Sequence, residues 1–251
     1  MYIAAFLAVY FILIYRLKKR EANFSQDDVL DFFLYAIAGV IIGGRLGYVL
    51  FYNLPYYLHN PLAIISPFDP AAGRFVGLRG MSYHGGLIGV VLASWIFIRK
   101  NKIDFWEFSD FLVPAIPAGY FFGRIGNFLN GELYGRATGS FWGMYFPSDP
   151  FGLPRYPSQL FEAALEGALL FCMLWLLRNK KFMQGYFLAL YLIGYGLLRF
   201  AAEFFRQPDP QIGFIFNFFT LGQILSLAMA LAGVILALIR KWKEGKIKAL
   251  T

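Results

Sequence analysis

Apolar residues run through this chain in long blocks, with neither the alternation of a half-buried strand nor the single stripe of an amphipathic helix. The blocks fall at roughly residues 1–17, 32–51, 83–98, 111–122, 160–177, 186–200 and 218–239. A helix needs about 20 mostly apolar residues to cross a bilayer. The pattern predicts an all-α, polytopic membrane protein with seven transmembrane helices. The fourth block is short and carries Pro114 and Pro117; starting it near Phe105 gives a normal length. Proline is admissible in a membrane helix where neighbours satisfy the freed carbonyls.

The polar positions between blocks are sorted by type. All ten lysines lie in four clusters: Lys18/Lys19, Lys100/Lys102, Lys180/Lys181 and Lys241/Lys243/Lys246/Lys248. Each cluster follows the first, third, fifth or seventh block, joined by Arg16, Arg20, Arg99, Arg178 and Arg240. Basic loops stay on the cytoplasmic side, so the N-terminus is expected outside and the C-terminus in the cytoplasm. The alternate loops, about 54–81, 123–158 and 203–213, hold arginine but no lysine: Arg74, Arg79, Arg124, Arg136, Arg155 and Arg206. The first of them carries Pro55, Pro61, Pro67 and Pro70. Arginine suits two-point contact with phosphate or carboxylate. These loops are expected to form a small outer-face head on a single transmembrane domain spanning residues 1–251.

Composition agrees. Of 251 residues, 59% are hydrophobic and 15% charged, and mean hydropathy is +0.55. A soluble domain is about half apolar and a quarter charged. The net charge of +8 is explained by topology and inner-leaflet anchoring, so no nucleic-acid partner is expected. The first block is no conventional secretory signal: its basic residues follow the apolar run, and no clear A-x-A site appears. One cysteine, Cys172, excludes an internal disulfide and a metal-type cysteine spacing. It reads as a small core residue, and neither metal nor cofactor is expected.

Ionisable groups near membrane depth are costly and mark function by default. "GMSYHGGLIG" (80–89) puts His84 at the start of the third span, where its ordinary pKa suits a general base. Gly85 and Gly86 beside it let a helix or ligand come close. His59, in a proline-flanked loop, reads as structural. In "YGLLRFAAEFFRQPD" (195–209), Tyr195, Arg199 and Glu203 are spaced four apart and share a helical face. In "YPSQLFEAALEG" (156–167), so do Gln159, Glu162 and Glu166. Arg45 is a lone cation in the second span, expected to pair with a glutamate across helices. Gly39, Gly43 and Gly47 have small-xxx-small spacing and point to helix packing.

The densest polar stretch is "GRIGNFLNGELYG" (123–135). Arg124 stands where the fourth span ends. Asn127 and Asn130 offer neutral donors and acceptors, and Glu132 can hold an arginine or a substrate hydroxyl. The glycines suggest non-helical backbone, which at this depth must line protein or a wet cavity.

Together, "GMSYHGG", "GRIGNFLNGELYGR", "YPSQLFEA" and "YGLLRFAAEFFR" resemble the bacterial prolipoprotein diacylglyceryl transferases in order and spacing, from about Met1 to Ile239. The resemblance implies a multi-pass enzyme of the bacterial inner membrane, with its site toward the periplasm. It implies transfer of the diacylglyceryl group of phosphatidylglycerol to the lipobox cysteine of a preprolipoprotein signal peptide. A thioether forms and glycerol phosphate leaves, as the first step of lipoprotein maturation. It implies that Arg124 contacts the headgroup, that Arg199 serves the leaving group and that His84 is the thiol base. Asn127, Glu132, Gly135 and Tyr195 match positions needed for activity or site shape, Asn130 lies in the signature, and Glu203 would orient Arg199. The nucleophile comes from the substrate, so Cys172 needs no reactivity. One departure stands at the start: family members carry an outer segment before the first span, and Met1-Tyr2 falls inside its usual motif.

Apart from the resemblance, a transporter or channel with an outer-facing anion site is the rival reading. Transporters place charges near the midplane between internal repeats; here the polar groups gather at span ends and no repeat is visible. An intramembrane protease is disfavoured, because G-x-S-x-G, H-E-x-x-H and paired intramembrane aspartates are missing. A lipid-binding scaffold does not call for so dense a polar set.

Overall fold

Prolines, glycines and caps decide where the helices begin and break. The computed structural model describes residues 1–66, 68–69, 74–75, 80–208, 214–215 and 218–250. Pro67, Pro70, Arg79 and residues 209–213 of the third outer loop lie outside the described residues, as does the side chain of Arg74. The chain divides into two compact units, one of residues 24–105 and one of residues 1–23 with 106–251.

In the first of these, α2 (Gln26–Tyr52) starts well before its apolar block. The reason is a capping box: Ser25 Oγ accepts from Asp28 N at 3.0 Å and Asp28 Oδ2 accepts from Ser25 N at 2.8 Å. A short α3 (Leu54–His59) and a 3₁₀ turn (Pro61–Ile64) follow. Strands β1 (Phe68–Asp69) and β2 (Arg74–Phe75) pair antiparallel, Phe68 opposite Phe75. Then α4 (Tyr83–Lys100) begins behind Ser82, whose Oγ accepts from Gly85 N at 3.2 Å. Helices α2 and α4 pack along their glycines: a Cβ on Gly47 would lie 2.7 Å from Gly85 Cα, and one on Gly43 2.6 Å from Gly89 Cα. Gly86, by contrast, makes no such approach, its nearest neighbour being Val40 O at 3.5 Å.

Arg45 is gripped by backbone carbonyls. Its guanidinium donates to the carbonyls of Ile64 (2.7 Å), Ala63 (2.7 Å) and Gly80 (3.3 Å) and lies over Tyr57. The loop after α2 turns back with unpaired carbonyls, and a five-donor fork satisfies several at once. His59 is structural as expected, its Nδ1 2.7 Å from Pro55 O one turn back.

The other unit holds α1 (Tyr2–Lys18), α5 (Phe105–Leu112), a 3₁₀ turn (Val113–Ala115) and α6 (Ile116–Leu129). Pro114 has no N–H for the carbonyl of Asp110, one turn earlier. Arg16 supplies the donor: its Nη1 reaches Asp110 O at 2.9 Å and Phe111 O at 2.5 Å, while its Nε pairs with Glu21 at 2.9 Å. Arg16 is therefore an internal splice, buried to 3% exposure. It is no leaflet anchor.

Next come α7 (Ser158–Glu162), a π-helical stretch (Ala163–Leu169) and α8 (Leu170–Leu177), continuous as one rod. Helix α9 (Phe187–Ala202) leads through β3 (Phe214–Ile215) and β4 (Phe219–Thr220), an antiparallel pair, into α10 (Leu221–Leu250). Val113, Leu170, Leu174 and Phe187 form a buried cluster between these helices. Among the described residues, Gln26–Tyr52, Ser158–Leu177 and Leu221–Lys246 are long and apolar enough to cross a membrane by length and composition alone. Their outward faces are apolar, as at Leu34, Phe51 and Leu231. Among the described residues the architecture is all-helical apart from two minute strand pairs and a few isolated bridges.

Two further expectations are corrected. Cys172 is exposed on α8, because its position on the rod points away from the Leu170–Leu174 face. The expectation of non-helical backbone in 123–135 holds only for its second half: α6 runs through Gly123 and Gly126 to Leu129, so Arg124 and Asn127 are helical, whereas the chain leaves the helix at Asn130 and Gly131 takes φ +66°. A Cβ on Gly119 would lie 2.9 Å from Val9 Cγ2, and one on Gly126 3.0 Å from Met1 Cγ. These glycines admit α1 against α6.

Candidate active site

Three helices aim charge at one point. Four and eight residues along α9 from Tyr195 stand Arg199 and Glu203; α6 contributes Tyr120 and, four on, Arg124; the α7 rod contributes Gln159, Glu162 and Glu166. Gln159, Glu162 and Glu166 share one face, as their spacing predicts, and all three are fully buried.

Glu162 is the hub. Its Oε2 lies 2.9 Å from Arg124 Nε and 3.2 Å from Arg199 Nη1, and its Oε1 lies 3.6 Å from Arg206 Nη1. Glu166 Oε1 lies 3.6 Å from Arg199 Nη1, and its Oε2 accepts from the Tyr120 hydroxyl at 2.6 Å. Arg199 Nη2 donates to Glu203 Oε2 at 2.6 Å, and Glu203 Oε1 accepts from Thr220 Oγ1 at 3.0 Å. Glu203 is thus held between Arg199 and Thr220. Tyr195 sets its ring edge against Tyr120, centroids 5.6 Å apart.

The burial is one-sided. Glu162 and Glu166 side chains are 0% exposed, whereas Arg199, Arg124 and Arg206 retain 13%, 16% and 22%. Three arginines and three glutamates cancel formally; the carboxylates are almost wholly buried and each arginine side chain keeps some exposure, although Arg199 Nη1 is itself buried. Isolated buried carboxylates are prohibitively costly, so the arginines are held here by necessity. An approaching anion meets cations already oriented by buried counter-charges.

The signature stretch supplies the rim. Arg124 Nη1 donates to Asn127 Oδ1 at 3.4 Å, and Glu132 Oε1 accepts from Asn127 Nδ2 (2.8 Å) and Asn130 Nδ2 (3.3 Å). Glu132 is therefore held by two amides where an arginine had been one expectation, and it stays exposed. Gly135 donates to Tyr156 O at 2.8 Å and bridges antiparallel to Arg206; a Cβ there would strike the Phe205 carbonyl. Its bareness lets residues 130–157 close over the base of Arg206. Not every outer-loop arginine has an open edge. Arg136 donates to the carbonyls of Arg206 (2.8 Å) and Glu203 (3.4 Å), and Arg155 grips Asp149 through Nε (3.1 Å) and Nη2 (2.9 Å). That grip holds the Asp149 carboxyl below the usual aspartate range. His84 belongs to the other unit, exposed in the first turn of α4 with its ring edge-on to Tyr83.

Sequence reasoning left Tyr120, Glu162, Glu166 and Arg206 out of the site. The four-residue spacing of the two glutamates was the signal for them, and membership of the lysine-free outer loops was that for Arg206; Tyr120 had none. Among the described residues, no group of three or more histidine, cysteine or acidic side chains is placed to hold a metal.

Fold and site define an all-helical membrane protein whose buried carboxylates present an arginine cluster, the equipment of an enzyme acting on an anionic substrate. Residues 1–239 match the family model described as prolipoprotein diacylglyceryl transferase, and the chain belongs to that family of transferases. A phosphatidylglycerol–prolipoprotein diacylglyceryl transferase of Chlorobaculum tepidum is 49% identical over 93% of this chain and 82% of its own. One from Francisella tularensis subsp. tularensis is 46% identical over 99% and 90%, and one from Legionella pneumophila is 44% identical over 93% and 88%. The transporter reading finds no support among these relatives.

Proposed function

We propose that this chain transfers the diacylglyceryl group of phosphatidylglycerol to the thiol of the lipobox cysteine in a preprolipoprotein signal peptide. The thiol loses its proton, its sulfur attacks the glyceryl carbon bearing the phosphate, the C–O bond breaks and glycerol phosphate leaves with the electron pair. The product is a thioether. The observation that carries this reading is the arginine trio on Glu162, cations accessible and carboxylates not, together with the family membership.

Arg124 holds the headgroup phosphate, and Arg199 stabilises the charge that develops on the leaving group. Glu203 keeps Arg199 pointed, and Asn127, Asn130 and Glu132 form the polar rim. Tyr195 and Gly135 shape the floor and the closure. His84 has the role that the family resemblance implies, thiol base.

The same reading places the chain in the bacterial inner membrane as one transmembrane domain of seven spans. The crossings are α1, α2, α4, α5 with α6, the α7–α8 rod, α9 and α10. The lysine clusters after α1, α4, α8 and within α10 support a cytoplasmic C-terminus and a site on the periplasmic side. The test is a transfer assay with purified protein, labelled phosphatidylglycerol and a lipobox peptide. Wild type is expected to form the thioether, and Arg124→Ala and Arg199→Ala to lose it. Residual turnover in His84→Ala would reduce that residue to positioning. No product from folded wild-type protein would sink the reading.

A further inference from the structure

The reaction above gives no task to the hydroxyl of Tyr120, although it sits between both arginines. We infer that Tyr120 is a positioning residue that decides which edge of Arg124 meets the lipid phosphate. This rests on the reading of Arg124 as headgroup ligand.

A guanidinium can grip a phosphate side-on, through Nε and one Nη, or end-on, through both Nη groups. In this site Nε is taken. It donates to the Tyr120 oxygen at 2.8 Å and lies 2.9 Å from Glu162 Oε2, and the guanidinium carbon sits 4.9 Å from the centre of the Tyr120 ring. Nη1 makes only a 3.4 Å contact with Asn127, and Nη2 has no partner among the described residues. The end-on edge is the one left to offer.

The direction of the Tyr120 hydrogen bond is also fixed. Arg124 Nε can only donate, so a hydroxyl lone pair faces it, and the single hydrogen goes to the carboxylates, Glu166 Oε2 at 2.6 Å and Glu162 Oε2 farther off at 3.3 Å. Glu166 in turn lies 3.6 Å from Arg199. The chain Arg124–Tyr120–Glu166–Arg199 therefore ties the headgroup arginine to the leaving-group arginine through one neutral hydroxyl. A phenylalanine would keep the ring against Tyr195 and under Arg124 and remove only the hydroxyl, with its bonds to Arg124 and Glu166, its 3.3 Å contact with Glu162 Oε2 and its contact with the Tyr195 hydroxyl. A hydrogen bond to a charged group, once deleted, costs about ten- to a hundredfold in an equilibrium.

The experiment measures affinity for short-chain phosphatidylglycerol by calorimetry on wild type, Tyr120→Phe, Arg124→Lys and the double variant, with melting temperatures and transfer assays alongside. Tyr120→Phe leaves Glu166 Oε2 without its donor, so it is expected to melt somewhat lower than wild type and to bind the lipid about tenfold or more weakly, with its KM for the lipobox peptide unchanged. In the Arg124→Lys background the same change is expected to add nothing, because lysine has no Nε to hold. Equal losses in both backgrounds, an unchanged lipid affinity, or a lowered melting temperature that carries both substrates' KM values with it would each overturn the inference. Lipid binding without transfer by wild type would sink the reaction and leave the positioning role to be judged on the affinities. No lipid binding by wild type would overturn both.

Discussion

Between α2 and α4 the helices touch backbone to backbone. Gly39, Gly43, Gly47, Gly85 and Gly89 supply no side chains, and the contact is made of what is missing. Around Glu162 the opposite holds, since α6, α7 and α9 meet through long ionised side chains. Close packing is how membrane helices associate when lipid is as apolar as the helix. A buried ion network adds little net stability and demands that every partner stay in place. The glycine seam thus has the character of scaffold, and the charge network that of machinery, tolerated for what its exposed edges can bind.

The largest effect should come from breaking the hub. Glu162→Ala leaves Arg124, Arg199 and Arg206 facing one another over an empty anion position. Removal of one partner from a buried pair costs about 3–5 kcal/mol. The expected outcome is a sharply lowered melting temperature in detergent and no transfer. A variant that melted with wild type would show that the network is not the fold's constraint in this region.

The seam can be tested within one helix. Gly85→Ala drives a Cβ into the Gly43 carbonyl, where only backbone could yield, and overpacking of this kind costs about 1–3 kcal/mol. Gly86→Ala, one residue along, meets nothing nearer than 3.5 Å. It should be neutral or slightly stabilising, since alanine favours helix by about 1 kcal/mol over glycine. Equal melting shifts for the two variants would break the distinction drawn here between a seam and a merely glycine-rich helix.

A third ion pair lies outside the helices and sharpens the contrast. Asp149 accepts two hydrogen bonds from Arg155 and one from Leu153 N at 3.0 Å, and these hold its carboxyl below the ordinary aspartate range. A group depressed in the folded state stabilises fully above its unfolded value, about 3.9 for aspartate, and loses that contribution as pH falls through the folded value. Protection factors of the amides in residues 130–157, corrected for the intrinsic exchange rate, should therefore fall on acidification below pH about 4, and Asp149→Asn should flatten that dependence. An unaltered acid profile in the variant would show that the loop does not rely on this pair.

Helix blocks, lysine asymmetry and the shared faces of Tyr195/Arg199/Glu203 and Gln159/Glu162/Glu166 were all legible in the sequence, because each depends on local period or composition. What stayed hidden was long-range. Arg45 found carbonyls because a loop distant in sequence folds back onto α2. Tyr120 was one more aromatic in an apolar block, and only the neighbouring rod makes it a bridge. Gly123 and Gly126 looked like breakers, yet tertiary packing against α1 kept α6 helical, the usual way in which context overrides propensity. Arg206 joins the site through the bridge at Gly135, a pairing 71 positions apart that no periodicity announces.

The smallest effect belongs to Cys172, which lies in neither the seam nor the network. It is exposed on α8, within an apolar rod long enough to span a bilayer. If that surface faces lipid, a water-soluble maleimide should label it poorly in membranes and readily once the protein is denatured in detergent, because the reacting thiolate forms only in water. Cys172→Ser should transfer as well as wild type, because the attacking sulfur belongs to the substrate. Loss of transfer in that variant would make the thiol part of the chemistry and require a covalent step that the arginine site does not. Ready labelling in membranes by the water-soluble reagent would instead place this face of α8 in water, and the seven-span topology would have to be redrawn around it.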